Sequence, residues 1–116
     1  KIYLIDQNIK YTLNKLIKKF SKREKLRLIK DLILGDNEYS FNINKTPSQV
    51  EIEKIIKKVK KNYPSFYLIV IKERNEFMAR NLFKLMKLYT KQKIVSIVGA
   101  GHEKAIIGEI KLLEKI

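Results

Sequence analysis

Three features of the sequence predict an α/β layer fold. Two short apolar, β-branched runs lie at opposite ends of the chain, and helical periodicity fills most of the residues between and after them. Their separation excludes a hairpin, so two such strands in one sheet would run parallel. A parallel sheet has both faces covered and needs more than two strands. The expected fold is therefore a partial parallel sheet, with strands near residues 2–6 and 93–98, covered by several helices. A missing amino-terminal part or another subunit is expected to complete it.

The first run, Ile2-Tyr3-Leu4-Ile5, ends at Asp6 and reads as a buried strand. Ile9, Leu13, Leu16, Ile17 and Phe20 then recur at helical spacing. Ser21 and Glu24 form a capping box that starts a second helix, with Leu26, Ile29 and Ile33 expected to face inward and Gly35 to end it. Residues 36–46 are polar and read as a loop. Thr46-Pro47-Ser48-Gln49 combines a capping box with proline at the first helical position, and Ile52, Ile55, Ile56 and Val59 carry that helix to about Asn62. Phe66 to Ile71 suits a strand by composition. A helix from Pro64 to about Tyr89 is preferred, because it places Phe66, Ile69, Val70, Glu73, Phe77 and Leu85 on one broad face. Lys93 to Val98 is the clearest strand. It runs into Gly99-Ala100-Gly101-His102 and a last helix carrying Ile106, Ile107, Ile110 and Leu113.

With 116 residues, 45% of them hydrophobic, the chain suits one domain with a real core and is not globally disordered. It begins with Lys1, directly in an apolar run, and reads as a piece of something longer. Without cysteine it has no disulfides or thiolate metal sites, which fits a reducing, cytoplasmic setting. No apolar run approaches the roughly 20 residues that span a bilayer. A net charge of +14 would attract anions. The excess is spread along the chain, however, with Lys57, Lys58, Lys60 and Lys61 at solvent-facing helical positions. No aromatic residues interleave with a basic stripe, so nucleic-acid binding is the weakest of the functional classes considered.

In open parallel sheets, ligands bind beyond the carboxyl ends of the strands. Asp6 and the Gly99–His102 turn both follow strands, so both are expected on one edge. Gly99 and Gly101 would allow close backbone approach where strand becomes helix, and the helix start offers N–H donors. Lys104 occupies the place where a dinucleotide fingerprint would want a third small residue, and no Walker lysine is present. His102 is the only histidine and cannot complete a metal site. Asp6 and Glu73 are the carboxylates that would join it, with further ligands coming from elsewhere. Glu73 and Arg74 interrupt the apolar face of the long helix, where charge is costly unless paired or functional.

Glu73-Arg74-Asn75-Glu76-Phe77-Met78-Ala79 followed by Ile94-Val95-Ser96-Ile97-Val98-Gly99-Ala100-Gly101-His102 resembles the TraB family of pheromone-shutdown-related proteins. That family shows Glu-Arg-Asp-x-x-Met-Ala on a long helix, then a strand ending in Val-Gly-x-Gly-His. Leu4-Ile5-Asp6 and the Glu24-Lys25-Leu26 stretch are similar at corresponding places, so the likeness covers nearly the whole chain. The wider group includes the TIKI proteins, ChaN-like haem-binding proteins and erythromycin-esterase-like enzymes. TIKI proteins use two Gly-x-x-His motifs and a glutamate in metal-dependent peptide cleavage. Gly99-Ala100-Gly101-His102 would be the second such motif, and the first is absent from this chain. The sequence departs from the family pattern at Gln7, Asn75 and Ala105, where Arg, Asp and Gly are usual.

The resemblance implies a carboxyl-terminal part of a TraB-like domain, a metal-dependent hydrolase of peptides or another amide or ester. This piece by itself is expected to be inactive. His102 would bind a divalent metal, with Asp6 as second ligand or orienter and Glu73 as general base or further ligand. Arg74 would hold a substrate carboxylate or stabilise developing negative charge, with Gly99 and Gly101 contributing to substrate binding. The alternative is a binding or regulatory module in which the same cleft captures a peptide or small molecule without chemistry. A homo-oligomer is expected from an open sheet edge. Some microbial members of the family are similar to membrane-attached proteins, so attachment through parts outside this chain is also an expectation.

Overall fold

The computed structural model describes residues 1–35 and 44–116. Six α-helices and one π-helical stretch account for all the regular structure among them: α1 (Ile9–Lys19), α2 (Lys22–Leu34), α3 (Gln49–Asn62), α4 (Pro64–Phe66), the π-helical Tyr67–Lys72, α5 (Glu73–Leu88) and α6 (Glu103–Glu114). Of the expected loop, residues 36–43 lie outside the described residues, and 44–48 are non-helical.

Local chemistry sets the helix starts. Asn8 caps α1 by accepting the Lys10 amide. Ser21 and Glu24 close the predicted capping box on α2, and Gly35 ends that helix at φ 61°, the left-handed conformation that glycine adopts without penalty. The α3 box is shifted from the expected one. Ser48 is the cap and Glu51 its reciprocal partner, so Pro47 stands before the cap and not inside the helix.

From Pro64 to Leu88 the backbone stays helical without a break, as the helical reading of that segment expects. Its first part, Tyr67–Lys72, is widened: the Glu73 amide donates to Leu68 five residues back, where an α-helix would pair it four back. Glu24 joins the start of this rod to α2. It is only 2% exposed; one carboxylate oxygen accepts from Ser21 and the other from the Ser65 and Phe66 amides. A single carboxylate thus satisfies orphan N–H donors at two helix starts.

The predicted parallel sheet is not present. No described residue belongs to a strand, and the architecture is helical throughout. Residues 2–5 and 93–98 are coil segments whose backbones form no ladder. Ile2, Tyr3 and Ile5 of the first and residues 93–97 of the second line one open groove of about 720 Å³, together with Leu82, Leu85 and Tyr89. A sheet would bring such segments within about 4.8 Å of each other along their length. It would also cover both faces, yet Ile2, Leu4 and Ile97 are each 94% exposed. The Tyr3 hydroxyl is instead hydrogen-bonded to that of Tyr89, at the end of α5.

The core is formed by the packing of α6 on α5. Met78, Ala79 and Ile106 are buried there, and Ile5, Val98, Leu82 and Ile110 close around them. Ile5 and Val98 anchor the two coil segments beside α5. The inward face expected of α2 is also corrected: Leu26, Ile29 and Ile33 are exposed. The helix meets the body of the molecule through Glu24, Arg27 and Asp31, which bond to Ser65, Asn62 and Tyr63. Among the described residues, no helix is long and apolar enough to cross a membrane.

Candidate functional site

Arg74 and Asn75 are consecutive on α5 and so project about 100° apart, Arg74 into the lining of a second groove and Asn75 into the packed interior. This groove, about 570 Å³, lies between residues 3–8 and 97–99 and includes Arg74, Met78 and His102. Arg74 grips Asp6 at two points: Nε lies 3.1 Å from Oδ1 and Nη2 2.5 Å from Oδ2. Its remaining amino group reaches the Val70 carbonyl at 3.4 Å. A guanidinium presented edge-on matches a carboxylate in geometry as well as charge. The contact with Arg74 holds the Asp6 carboxyl below its ordinary value against partial desolvation, and the Gln7 amide, 2.7 Å from Oδ1, adds to the effect.

Asn75 approaches His102. Its side chain is buried, and Oδ1 lies 2.5 Å from His102 Nδ1. An oxygen opposite Nδ1 selects the tautomer with the proton there, leaving the Nε2 lone pair available. Partial burial pushes the imidazole below its ordinary 6.5, and the nearby positive charge of Arg74 adds to this while Asp6 opposes it. His102 is therefore mostly uncharged at neutral pH. The ring sits at the start of α6: the His102 amide donates to Gly99 at 2.9 Å, which folds the turn.

Of the predicted site residues, Asp6, Arg74, Gly99 and His102 line this groove. Glu73 does not. Both of its oxygens accept from Lys15 Nζ, at 2.8 and 2.7 Å, in an ion pair between α5 and α1. Gly101 also lies outside the groove lining, and a β-carbon there would make ordinary contact with Ile56 of α3. Neither Gly99 nor Gly101 has positive φ, so the turn does not depend on glycine's conformational freedom. One supporting residue was not singled out from the sequence, and another was noted only as a departure from the family pattern. Asn81 Nδ2 donates to the Ile5 carbonyl at 3.0 Å and ties the first coil segment to α5. Gln7 accepts from the buried Thr12 hydroxyl at 3.2 Å. Asn81 lies seven residues after Arg74, on the same helical stripe, and that spacing was its available signal.

An imidazole nitrogen and a carboxylate are suitable donors for a divalent metal. Here they number two, and Asp6 is already engaged by Arg74. Among the described residues, no group of three or more His, Cys, Asp or Glu side chains could hold a metal ion. The groove as described is a polar, partly apolar-walled recess with a fixed neutral imidazole and a two-point guanidinium. It is suited to a ligand bearing a carboxylate or a polarised carbonyl.

The whole chain, residues 1–116, matches the model of the TraB/PrgY/gumN family. An uncharacterized protein of Methanocaldococcus jannaschii is 36% identical over 120 residues, an alignment covering 97% of this chain. The chain spans only 28% of that relative's length. No solved structure matches it.

Proposed function

The chain belongs to the TraB/PrgY/gumN family, and from that premise we propose that the Asp6–Arg74–His102 groove forms part of the site of a metal-dependent hydrolase acting on peptides or another amide or ester. The observation carrying this reading is the His102–Asn75 contact. An imidazole held by Nδ1 and kept uncharged offers Nε2 in the form that binds a metal or accepts a proton.

When bound, a divalent metal would supply a water acidic enough to be a nucleophile near neutral pH. His102 would be one ligand and Asp6 a second or an orienter. The remaining donors are assigned to the portion of a full-length protein that this chain does not span. Arg74 would exchange Asp6 for a carboxylate of the substrate, fixing its position by two parallel hydrogen bonds. Glu73 has no part in this scheme, because Lys15 holds both of its oxygens.

A second reading, a binding or regulatory module without chemistry, is favoured by the lack of a third metal-type side chain among the described residues. The deciding measurement is the metal content of the full-length protein with and without His102→Ala, alongside cleavage of a peptide library. Stoichiometric metal that the substitution abolishes, together with cleavage, supports the hydrolase. A folded, metal-free protein that binds carboxylate-bearing peptides and loses them on Arg74→Ala supports the binding module.

A further inference from the structure

We propose that α2 is a peripheral docking element for an anionic phospholipid surface. The helix is inverted relative to an ordinary amphipathic one. Glu24, Arg27 and Asp31, spaced three and four residues apart, make its polar contacts with the rest of the molecule. About 200° around the helix from Glu24, Leu26 begins a second stripe with Ile29 and Ile33, and Leu32 borders it. This apolar stripe faces solvent, with Leu32 74% and Ile33 77% exposed.

Charge identifies the occupant. Lys25 lies on one side of the stripe, Arg23 and Lys30 on the other, and Lys22 at its amino-terminal end, all exposed. The two acids of α2, Glu24 and Asp31, are bonded toward the body, so the outward face carries cations alone. A second copy of the chain would set this cationic rim against an identical one, and like charges would oppose the contact. A bilayer of anionic lipid meets both features. Its phosphate layer receives the lysines and arginine while its acyl boundary receives the leucine and isoleucines, and long basic side chains reach outward to the headgroups. The chain's +14 charge adds long-range attraction to such a surface.

The test uses the full-length protein in flotation with phosphatidylcholine vesicles, with and without phosphatidylglycerol. Wild-type protein should float with the anionic vesicles and lose binding as salt rises. Ile29→Glu with Ile33→Glu, at exposed positions that leave the fold intact by circular dichroism, should weaken binding about ten-fold or more. Lys57→Gln with Lys61→Gln makes the same change in net charge on α3 and should have a much smaller effect. The proposal is overturned if wild-type protein ignores anionic vesicles or if the α2 variant binds as well as wild type. It is also overturned if both variants lose binding equally, which would mark a general charge effect. Loss of a dimer by the α2 variant in sedimentation, with vesicle binding unchanged, would assign the face to a second copy instead.

Discussion

Asn75 Oδ1 stands 2.5 Å from His102 Nδ1 and links the middle of the long helical rod to the first residue of the last helix's cap. This contact fixes both the tautomer and the orientation of the chain's one histidine, with direct consequences for its titration.

With a folded value below 6.5, His102 is protonated more readily in the unfolded chain than in the folded one. Stability should therefore be level above about pH 6.5 and fall as pH drops through that value toward the folded one. Urea denaturation at several pH values between 8 and 5 should show this slope in wild-type protein. The slope should be absent from His102→Asn.

Asn75→Asp puts a carboxylate where the amide oxygen now stands, as is usual in the resembling family. The charge should raise the proton affinity of His102 on the order of ten-fold or more. The ring-proton NMR signals of a single histidine report this without assignment ambiguity. An unchanged titration midpoint would show that the contact does not persist in solution.

Glu24→Gln should destabilise the fold by about 1–3 kcal/mol, since a charge-assisted acceptor for two helix starts is lost in a buried place. Burial pushes the Glu24 carboxyl up, but the donors Ser65 and Ser21 and the Ser65 and Phe66 amides outweigh it and leave the group below its ordinary 4.5. A lowered carboxyl stabilises above the unfolded value, and that contribution is lost as pH falls through the folded one. Acid unfolding of wild-type protein should include this loss, and the Gln variant should lack it.

Ala79→Leu tests the packing of α6 on α5. Ala79 is completely buried beside Met78 and Ile106. The added atoms should cost about 1–3 kcal/mol through displaced neighbours, measured as a lower denaturation midpoint.

The helices were largely legible because their signals are local. The Ser21–Glu24 box, Gly35 and the periodic isoleucines of α3 each act within a few residues. The sheet was misread because β-branched composition speaks only for the backbone of its own segment. A ladder also needs a neighbour at hydrogen-bonding distance, and nothing in Ile94–Val98 states where that neighbour lies. The inward face of α2 failed for a related reason: three polar contacts with distant residues decide how the helix sits, and periodicity does not reveal them. In the site, Asp6 and His102 were recognisable as polar residues at the ends of apolar runs, and Arg74 as a charge interrupting an apolar helical face. Glu73 was grouped with them as a charge on the apolar face and through the Glu-Arg motif, but one step along a helix turns a side chain by about 100°. That turn takes it to Lys15.

The wide turn at Tyr67–Lys72 acts as a phase adjuster. Upstream of it, Glu24 dictates the angle at which Ser65 and Phe66 present their amides; downstream, Asp6 and His102 dictate the angle of Arg74 and Asn75. A uniform α-helix would couple these two settings rigidly at 3.6 residues per turn. The extra residue in the π-helical stretch uncouples them. Shortening the segment by one residue would turn everything beyond it by about 100°, so its length, more than the identity of its side chains, aims the far end of the rod at the groove.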